Sequence, residues 1–484
     1  MKRLFEKYPL VILIIFGIIL RILASFFSKG FLTLDDHHNL VVDADLLASG
    51  LSLPADFKDS ALYPFIVSLI MQIVRVFGIN SPDTEMVFVR LAHGLFSVVG
   101  IYLVFKILEA KVDKRSAAIG GIFMAAFFVM PIFSVHQFEE VICQIPLLAS
   151  VWYFIRFEKE NINLYLFLSG LFIGVALILR FPLISFVVPF LLGVVIDKSS
   201  RKLSFLFLFG FLVIIFLQSL SNLYVNGEFG YSFSQNYGFI LSDYNSIIKS
   251  DGYPAGPPSR YLLTLLAAFI PPFSILFLIS ALRGSKKFII IGLSILAFLI
   301  AHSVIENKQE RFLLPIIPML IILAVAGFNN LKQWFQKKNL SKIYKYNWIY
   351  FWVLNSILLM FFIFHYGKKD RVEPLVYIND KQDAAGVLIA QFSYTFLVPD
   401  YYLGKTIPIH IIDDKKKLQQ QEMIINYCVL YTDSLEQDKN YLEKIMERKF
   451  VLEKTIEPSI GDLIAHKLNP KFNKSRTCYV FKIY

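Results

Sequence analysis

Eleven apolar runs, each close to the length of helix that a bilayer demands, dominate this chain and decide most of what it can become. A bilayer's hydrocarbon core is about 30 Å thick, so a crossing helix needs about 20 apolar residues. Runs of that kind occupy 9–28, 84–107, 116–134, 140–157, 163–179, 182–197, 203–224, 261–282, 287–304, 312–329 and 347–366. A soluble core could not hide them. Of 484 residues, 56% are hydrophobic and 18% are charged, against about 25% charged in soluble domains. The mean hydropathy is +0.58. The chain reads as an all-α polytopic membrane protein of about eleven transmembrane helices plus interfacial helices.

The net charge of +11 does not indicate nucleic acid, because no basic face interleaved with base-stacking aromatics is present. The excess Lys and Arg sit in short loops between the apolar runs, where they orient helices. The loops at Lys111–Arg115, Arg156–Lys159, Lys198–Lys202, Arg283–Lys287 and Lys332–Lys345 all fall on one side with Lys2, Arg3 and Lys7 if the apolar stretch 61–78 does not cross. That stretch is therefore read as interfacial, with Tyr63-Pro64 suited to its helix start. The amino terminus is then cytoplasmic. The first run is a retained helix, since no small-residue cleavage site follows it. The outer loops become 29–60, 135–139, 180–181, 225–260 and 305–311. They hold the chemically unusual residues, so the working face is the outer one.

From residue 367 the composition turns polar. Strand-like runs at 407–412, 423–431 and 477–484 alternate with helix-like segments at 382–391 and 435–447. The expected organisation is a membrane domain over 1–366 and a small extracytoplasmic α/β domain over 367–484. No glycine-rich phosphate loop marks that domain as nucleotide-binding. Cys143, Cys428 and Cys478 show no metal or redox spacing; a Cys428–Cys478 disulfide would require an oxidising compartment.

Five features carry chemistry. Leu34-Asp35-Asp36-His37-His38-Asn39 follows the first run, with Asp43 and Asp45 beyond. Carboxylates and imidazoles near lipid are costly to desolvate and default to function. One aspartate could be a general base, with its neighbours positioning it or holding a divalent cation. The alternative is a solvated acidic cap on the following segment. Asn307-Lys308-Gln309-Glu310-Arg311-Phe312 puts cations on the outer face. They either meet an anionic partner such as a lipid phosphate or anchor the helix at headgroups. Arg180-Phe181-Pro182 sits at an outer hairpin apex and either snorkels or holds a phosphate. His136, Glu139 and Glu140 flank another outer exit. Tyr253, in a loop rich in Tyr, Gly and Pro, could meet sugar hydroxyls.

Together these residues resemble the GT-C fold glycosyltransferases that use polyprenyl-phosphate sugars. They are most similar to the dolichyl-phosphate-mannose-dependent mannosyltransferases of lipid-linked oligosaccharide and GPI-anchor assembly. Asp35-Asp36 matches the family's acidic pair in the first outer loop. Asn307 to Phe312, with its trailing prolines, resembles the H-K-E-x-R-F motif, with Asn307 in place of His and Gln309 in place of the first Glu. Arg180-Phe181-Pro182 resembles the basic-x-Pro apex, and Ser60 to Pro64 with Glu85–Arg90 is similar too. The resemblance covers about residues 8–330. It implies inverting transfer of a sugar, mannose by preference, to a glycan, lipid or protein acceptor on the outer face. Asp35 or Asp36 would be the base. Arg180, Lys308 and Arg311 would bind the donor phosphate, and His37, His38, Glu139, Glu310 and Tyr253 would contact substrate. No cofactor is required. The membrane would be the plasma (inner) membrane, or that of the endoplasmic reticulum in a eukaryote. The competing class is a transporter or flippase, which would want polar residues at mid-membrane and broken helices; the apolar runs here are nearly free of charge.

Overall fold

The computed structural model describes residues 6–34, 37–54, 57–238, 254–305, 307–415 and 424–484. Asp35, Asp36, Tyr253 and Glu306 lie outside the described residues.

Among the described residues, six helices are long and apolar enough to cross a membrane: Pro9–Phe27, Pro82–Lys111, Glu139–Glu160, Arg201–Asn226, Glu310–Lys337 and Ser341–Ile363. Shorter apolar helices fill Asn163–Leu179, Phe181–Ile196 and Ile289–Val304. At 1.5 Å per residue a 17-residue helix such as Asn163–Leu179 is about 25 Å long, a little under the hydrocarbon thickness. The expected interfacial stretch is the helix Leu62–Val76, whose 15 residues reach only about 22 Å. The expected span at 261–282 is not one rod. It breaks into Arg260–Ala268 and Phe273–Lys287, bent by 110°. Pro271 and Pro272 supply no N–H to a helical ladder, and Ile270 beside them has left-handed backbone (φ 58°). The run at 116–134 likewise breaks after Ala126, before the short helix Val129–Phe133.

This is a membrane protein, and its exposed faces show why it must be. Ser204–Asn226 exposes Phe205, Phe209, Leu212 and Phe216 along one side. Such a surface is stable against acyl chains and not against water. In contrast, 89% of the apolar window in Glu310–Lys337 is buried, making it a central helix.

The chain forms two compact units. One comprises Met1–Ala24, Ser52–Phe65 and Leu91–Ile363, and the other Ser25–Leu51, Ile66–Arg90 and Phe364–Tyr484.

In the first unit, helices cross closely wherever glycine allows backbones to touch. A methyl group on Gly170 would stand 1.9 Å from the Phe207 carbonyl oxygen, and one on Gly327 2.0 Å from that of Ser280. With no hydrophobic drive between helices in lipid, small residues at crossings supply the contact. Arg21 departs from the expectation of nearly charge-free spans. It is fully buried and donates to the Ala125 and Met124 carbonyls at 2.7 and 2.8 Å and to Ser97 Oγ at 3.1 Å. Those carbonyls end the helix Lys114–Ala126, where a cation is favoured.

The second unit contains a five-stranded sheet of order β2-β1-β3-β5-β4, with β1 Val387–Gln391, β2 Ile409–Ile412, β3 Tyr427–Tyr431, β4 Phe450–Ile456 and β5 Cys478–Ile483. β1 pairs in parallel with β2 and β3; β5 pairs antiparallel with β3 and β4. Helices Lys369–Asn379, Leu435–Met446 and Ile460–Leu468 accompany it. The segment 382–391, expected as helix, holds the interior strand β1 instead. All five of its residues are buried, and a strand covered on both faces loses the alternation that would reveal it. Cys428 and Cys478 are buried free thiols. Their register sets Cys478 opposite Tyr431 and Cys428 opposite Phe481, about 10 Å apart along the strands, so they cannot bond.

Gly327→Leu is expected to force the crossing with Phe273–Gly284 open. Overpacking of this kind costs about 1–3 kcal/mol, so the detergent-solubilised protein should melt several degrees lower; an unchanged midpoint would contradict the close crossing.

Candidate functional site

Two polar clusters, one in each unit, gather several of the residues that the sequence singles out. In the first unit, the helix Asn163–Leu179 stops at Arg180, whose extended backbone (φ −151°, ψ 93°) carries the chain out. Pro182 then opens a 3-10 turn. The Arg180 guanidinium is thereby set against the short helix Glu139–Ile142. Its Nη1 donates to Glu139 Oε2 at 3.1 Å, and its Nη2 lies 3.0 Å from Glu140 Oε1. Arg311 Nε is 3.7 Å from that same oxygen and donates to Gln309 Oε1 at 2.9 Å. The contacts of Glu140 Oε1 are ion pairs without hydrogen-bond alignment. The Phe312 ring lies 5.2 Å from the Arg180 guanidinium and 5.6 Å from that of Arg311. Gln144 ties the two segments together by donating to the Leu314 carbonyl at 2.8 Å.

Glu140 is 1% exposed. Burial opposes charge on Arg180, but Glu140 and then Glu139 outweigh it and raise the guanidinium above its ordinary value. The cluster sets two guanidiniums against two carboxyl groups, with Glu140 fully buried beneath them. Planar guanidiniums so fixed suit bidentate capture of a phosphate.

The other residues of the Lys308 motif go elsewhere. Lys308 is fully buried, and its ammonium donates to the carbonyls of His302 (3.0 Å), Ser303 (2.9 Å) and Ile305. It thus caps the end of the helix Ile289–Val304. Glu310 is exposed and pairs with Arg260.

In the second unit, the first outer loop resumes at His37, directly bonded to Asp36. The His37 ring is 1% exposed and stacks with Phe31 at 4.9 Å and with Tyr402 at 5.2 Å. His38 meets it edge-on at 5.0 Å. Burial, and secondarily the His38 charge, lower the His37 pKa to about 3, so the ring is neutral. Farther along, Asp45 is paired with Arg75. Arg75 also binds Glu85, with Nε at 2.8 Å and Nη2 at 3.0 Å, and Glu85 accepts from the Tyr401 hydroxyl at 2.9 Å. Lys29 pairs with Asp83 at 2.7 Å. Arg90 is fully buried; its Nε donates to the Ser25 carbonyl at 3.0 Å, and Nη1 and Nη2 have no hydrogen-bond partner among the described residues. Among the described residues no group of three or more His, Cys, Asp or Glu side chains could hold a metal ion.

Sequence reasoning missed Arg75, Tyr401 and Tyr402. The Tyr401-Tyr402 doublet between Pro399 and Gly404 was visible, but its distance from the loop in sequence hid its meaning.

Residues 11–385 match the Alg9-like mannosyltransferase family. No curated protein sequence matches the chain. Among solved structures the chain is similar to ArnT from Cupriavidus metallidurans. In the apo state the TM-score is 0.64 at 12% identity, covering 98% of this chain and 97% of that one. For ArnT bound to undecaprenyl phosphate they are 0.61 and 11%, covering 98% of each chain. The apo oligosaccharyltransferase of Archaeoglobus fulgidus is similar at 0.53 and 11%, over 91% of this chain and 71% of that one. At such identities the likeness is one of fold, and the fold is GT-C.

The His37 environment has a pH consequence. Its folded pKa lies below the ordinary 6.5, so between about 3 and 6.5 the unfolded chain binds the extra proton. Stability from this site is full above about 6.5 and falls as pH drops toward 3. The melting midpoint of wild type should therefore decline across that range more steeply than that of His37→Phe; parallel profiles would contradict the buried neutral ring.

Proposed function

This chain belongs to the Alg9-like mannosyltransferase family, and on that premise we propose that it transfers mannose from a polyprenyl-phosphate donor with inversion at the sugar carbon. The observation that carries the reading is the extent of the family match, which runs from the first apolar helix past the last one. The lipid donor is supported by the fold likeness to ArnT, which was solved with undecaprenyl phosphate, and by the Arg180–Arg311 cluster, whose chemistry suits a phosphate.

In the proposed step an acceptor hydroxyl attacks the sugar C1. The C1–O bond to phosphate breaks, the hydroxyl proton passes to Asp35 or Asp36, and polyprenyl phosphate leaves with the bonding electrons. General-base catalysis of this kind contributes about 10²–10⁴-fold. Arg180 and Arg311 offset the charge gathering on the departing phosphate. Lys308 acts behind them by holding the end of its helix. Glu139, His38, Glu310 and Tyr253 are assigned to substrate contact, whereas His37, expected there too, is sealed between Phe31 and Tyr402 and supports the loop instead. The leaving group is a lipid phosphate rather than a nucleotide, so the reading requires no cofactor. The acceptor is a glycan, lipid or protein on the extracytoplasmic face, where the carboxy-terminal domain also lies, with the amino terminus cytoplasmic.

The test is transfer from radiolabelled polyprenyl-phosphate mannose to a lipid-linked glycan extract by the purified protein. Wild type should transfer label. Asp35→Asn or Asp36→Asn should lower the rate by about 10²–10⁴-fold while the protein still inserts in the membrane. Full activity in both variants would overturn the mechanism.

A further inference from the structure

Within the second unit, one turn of the carboxy-terminal sequence packs against the first outer loop. Asp400–Leu403 is one 3-10 turn, and its Tyr401 and Tyr402 rings are 9% and 1% exposed. Tyr402 lies nearly parallel to His37, at 15°. Tyr401 meets the same imidazole edge-on at 6.0 Å. The Tyr401 hydroxyl also begins the chain of contacts through Glu85 and Arg75. Arg75 reaches Asp45 and donates to Ser49 Oγ at 3.3 Å. Both flanks of residues 37–49 thus return to two adjacent tyrosines more than 350 positions away in sequence.

The turn is itself anchored. Gly404 has left-handed backbone, and a methyl group there would stand 2.7 Å from the Pro82 ring. The start of the loop is pinned separately, where the Gly367 N–H donates to the Lys29 carbonyl at 2.9 Å. The Tyr402 hydroxyl is buried with no hydrogen-bond partner among the described residues, so the ring, not the hydroxyl, makes the contact.

We propose that Tyr401 and Tyr402 are positioning residues: the carboxy-terminal domain uses them to fix residues 37–49, the segment that directly follows the acidic pair in sequence. This rests on the assignment of the base to Asp35 or Asp36. The domain is then part of the catalytic apparatus, although it supplies no reacting group. Small errors in placing a reacting group cost about a hundredfold in rate, enough to make such a tether matter.

The experiment compares full-length wild type with Tyr402→Ala, Tyr402→Phe and Tyr401→Phe. Steady-state mannosyl transfer and hydrogen exchange of residues 37–49 are both read. Tyr402→Phe should keep wild-type kcat and slow exchange. Tyr402→Ala should lose about 10- to 100-fold in kcat at unchanged donor KM, with faster exchange in the segment. Tyr401→Phe should speed exchange at residues 42–49 and lower kcat; it carries the test alone if Tyr402→Ala does not fold. Unchanged exchange in Tyr402→Ala, or equal losses in the Phe and Ala variants, would overturn the proposal. So would faster exchange with unchanged kcat, or kcat and KM shifting only in step with the melting midpoint. The base assignment falls separately, if Asp35→Asn and Asp36→Asn both keep full activity in the same assay.

Discussion

A charge placed in or against a bilayer has to bring its counter-charge with it, and that constraint organises this protein. The cost of leaving an ion alone in low dielectric is several kcal/mol even after relaxation, on the order of 3–5 kcal/mol when one partner of a buried pair is removed. The described chain meets it in two ways. Arg21 spends its guanidinium on carbonyls at a helix end. Lys308 does the same at another. Arg180, Arg311 and Arg75 are matched to carboxylates. Each solution fixes the relative position of segments that the apolar packing alone would leave free to slide.

The matched arginines have a consequence for the proposed reaction. The Arg180 cluster already sets two guanidiniums against two carboxyl groups. A phosphate arriving there adds negative charge, so Glu139 or Glu140 must either give up its arginine or take a proton. The exchange of one acidic partner for another keeps the arginines charged and oriented throughout, without exposing an unpaired cation to lipid. Pre-organised donors of this kind act most strongly where water is excluded. The same logic explains why Phe312 underlies both guanidiniums: an aromatic face stabilises a cation while adding no competing hydrogen bond.

Much of this was legible in the sequence, and the parts that were not have physical reasons. Bilayer thickness imposes a length on apolar runs, so each expected run corresponds to a helix or a broken pair. The break at Pro271-Pro272 was written in the residues, but the surrounding apolarity masked it. The Arg180 apex and the Arg311 motif could be paired only by their expected side of the membrane; the carboxylates joining them became visible in three dimensions. Lys308 looked equivalent to Arg311, yet a flexible stem let its ammonium turn to nearby carbonyls. Interior strand β1 was hidden by burial on both faces. The Tyr401–Glu85–Arg75–Asp45 chain spans distant segments, and no local pattern announces such a set.

The proposed function turns on the half-buried arginine pair Arg180 and Arg311 receiving the phosphate of a lipid donor. Native mass spectrometry of the purified protein with polyprenyl phosphate, and with the matching polyprenol that lacks phosphate, tests it most directly. Wild type should retain the phosphate lipid and release the alcohol, and the double variant Arg180→Gln, Arg311→Gln should bind neither, while keeping its folded charge-state distribution. Equal retention of the phosphate lipid by wild type and the folded double variant would contradict the claim.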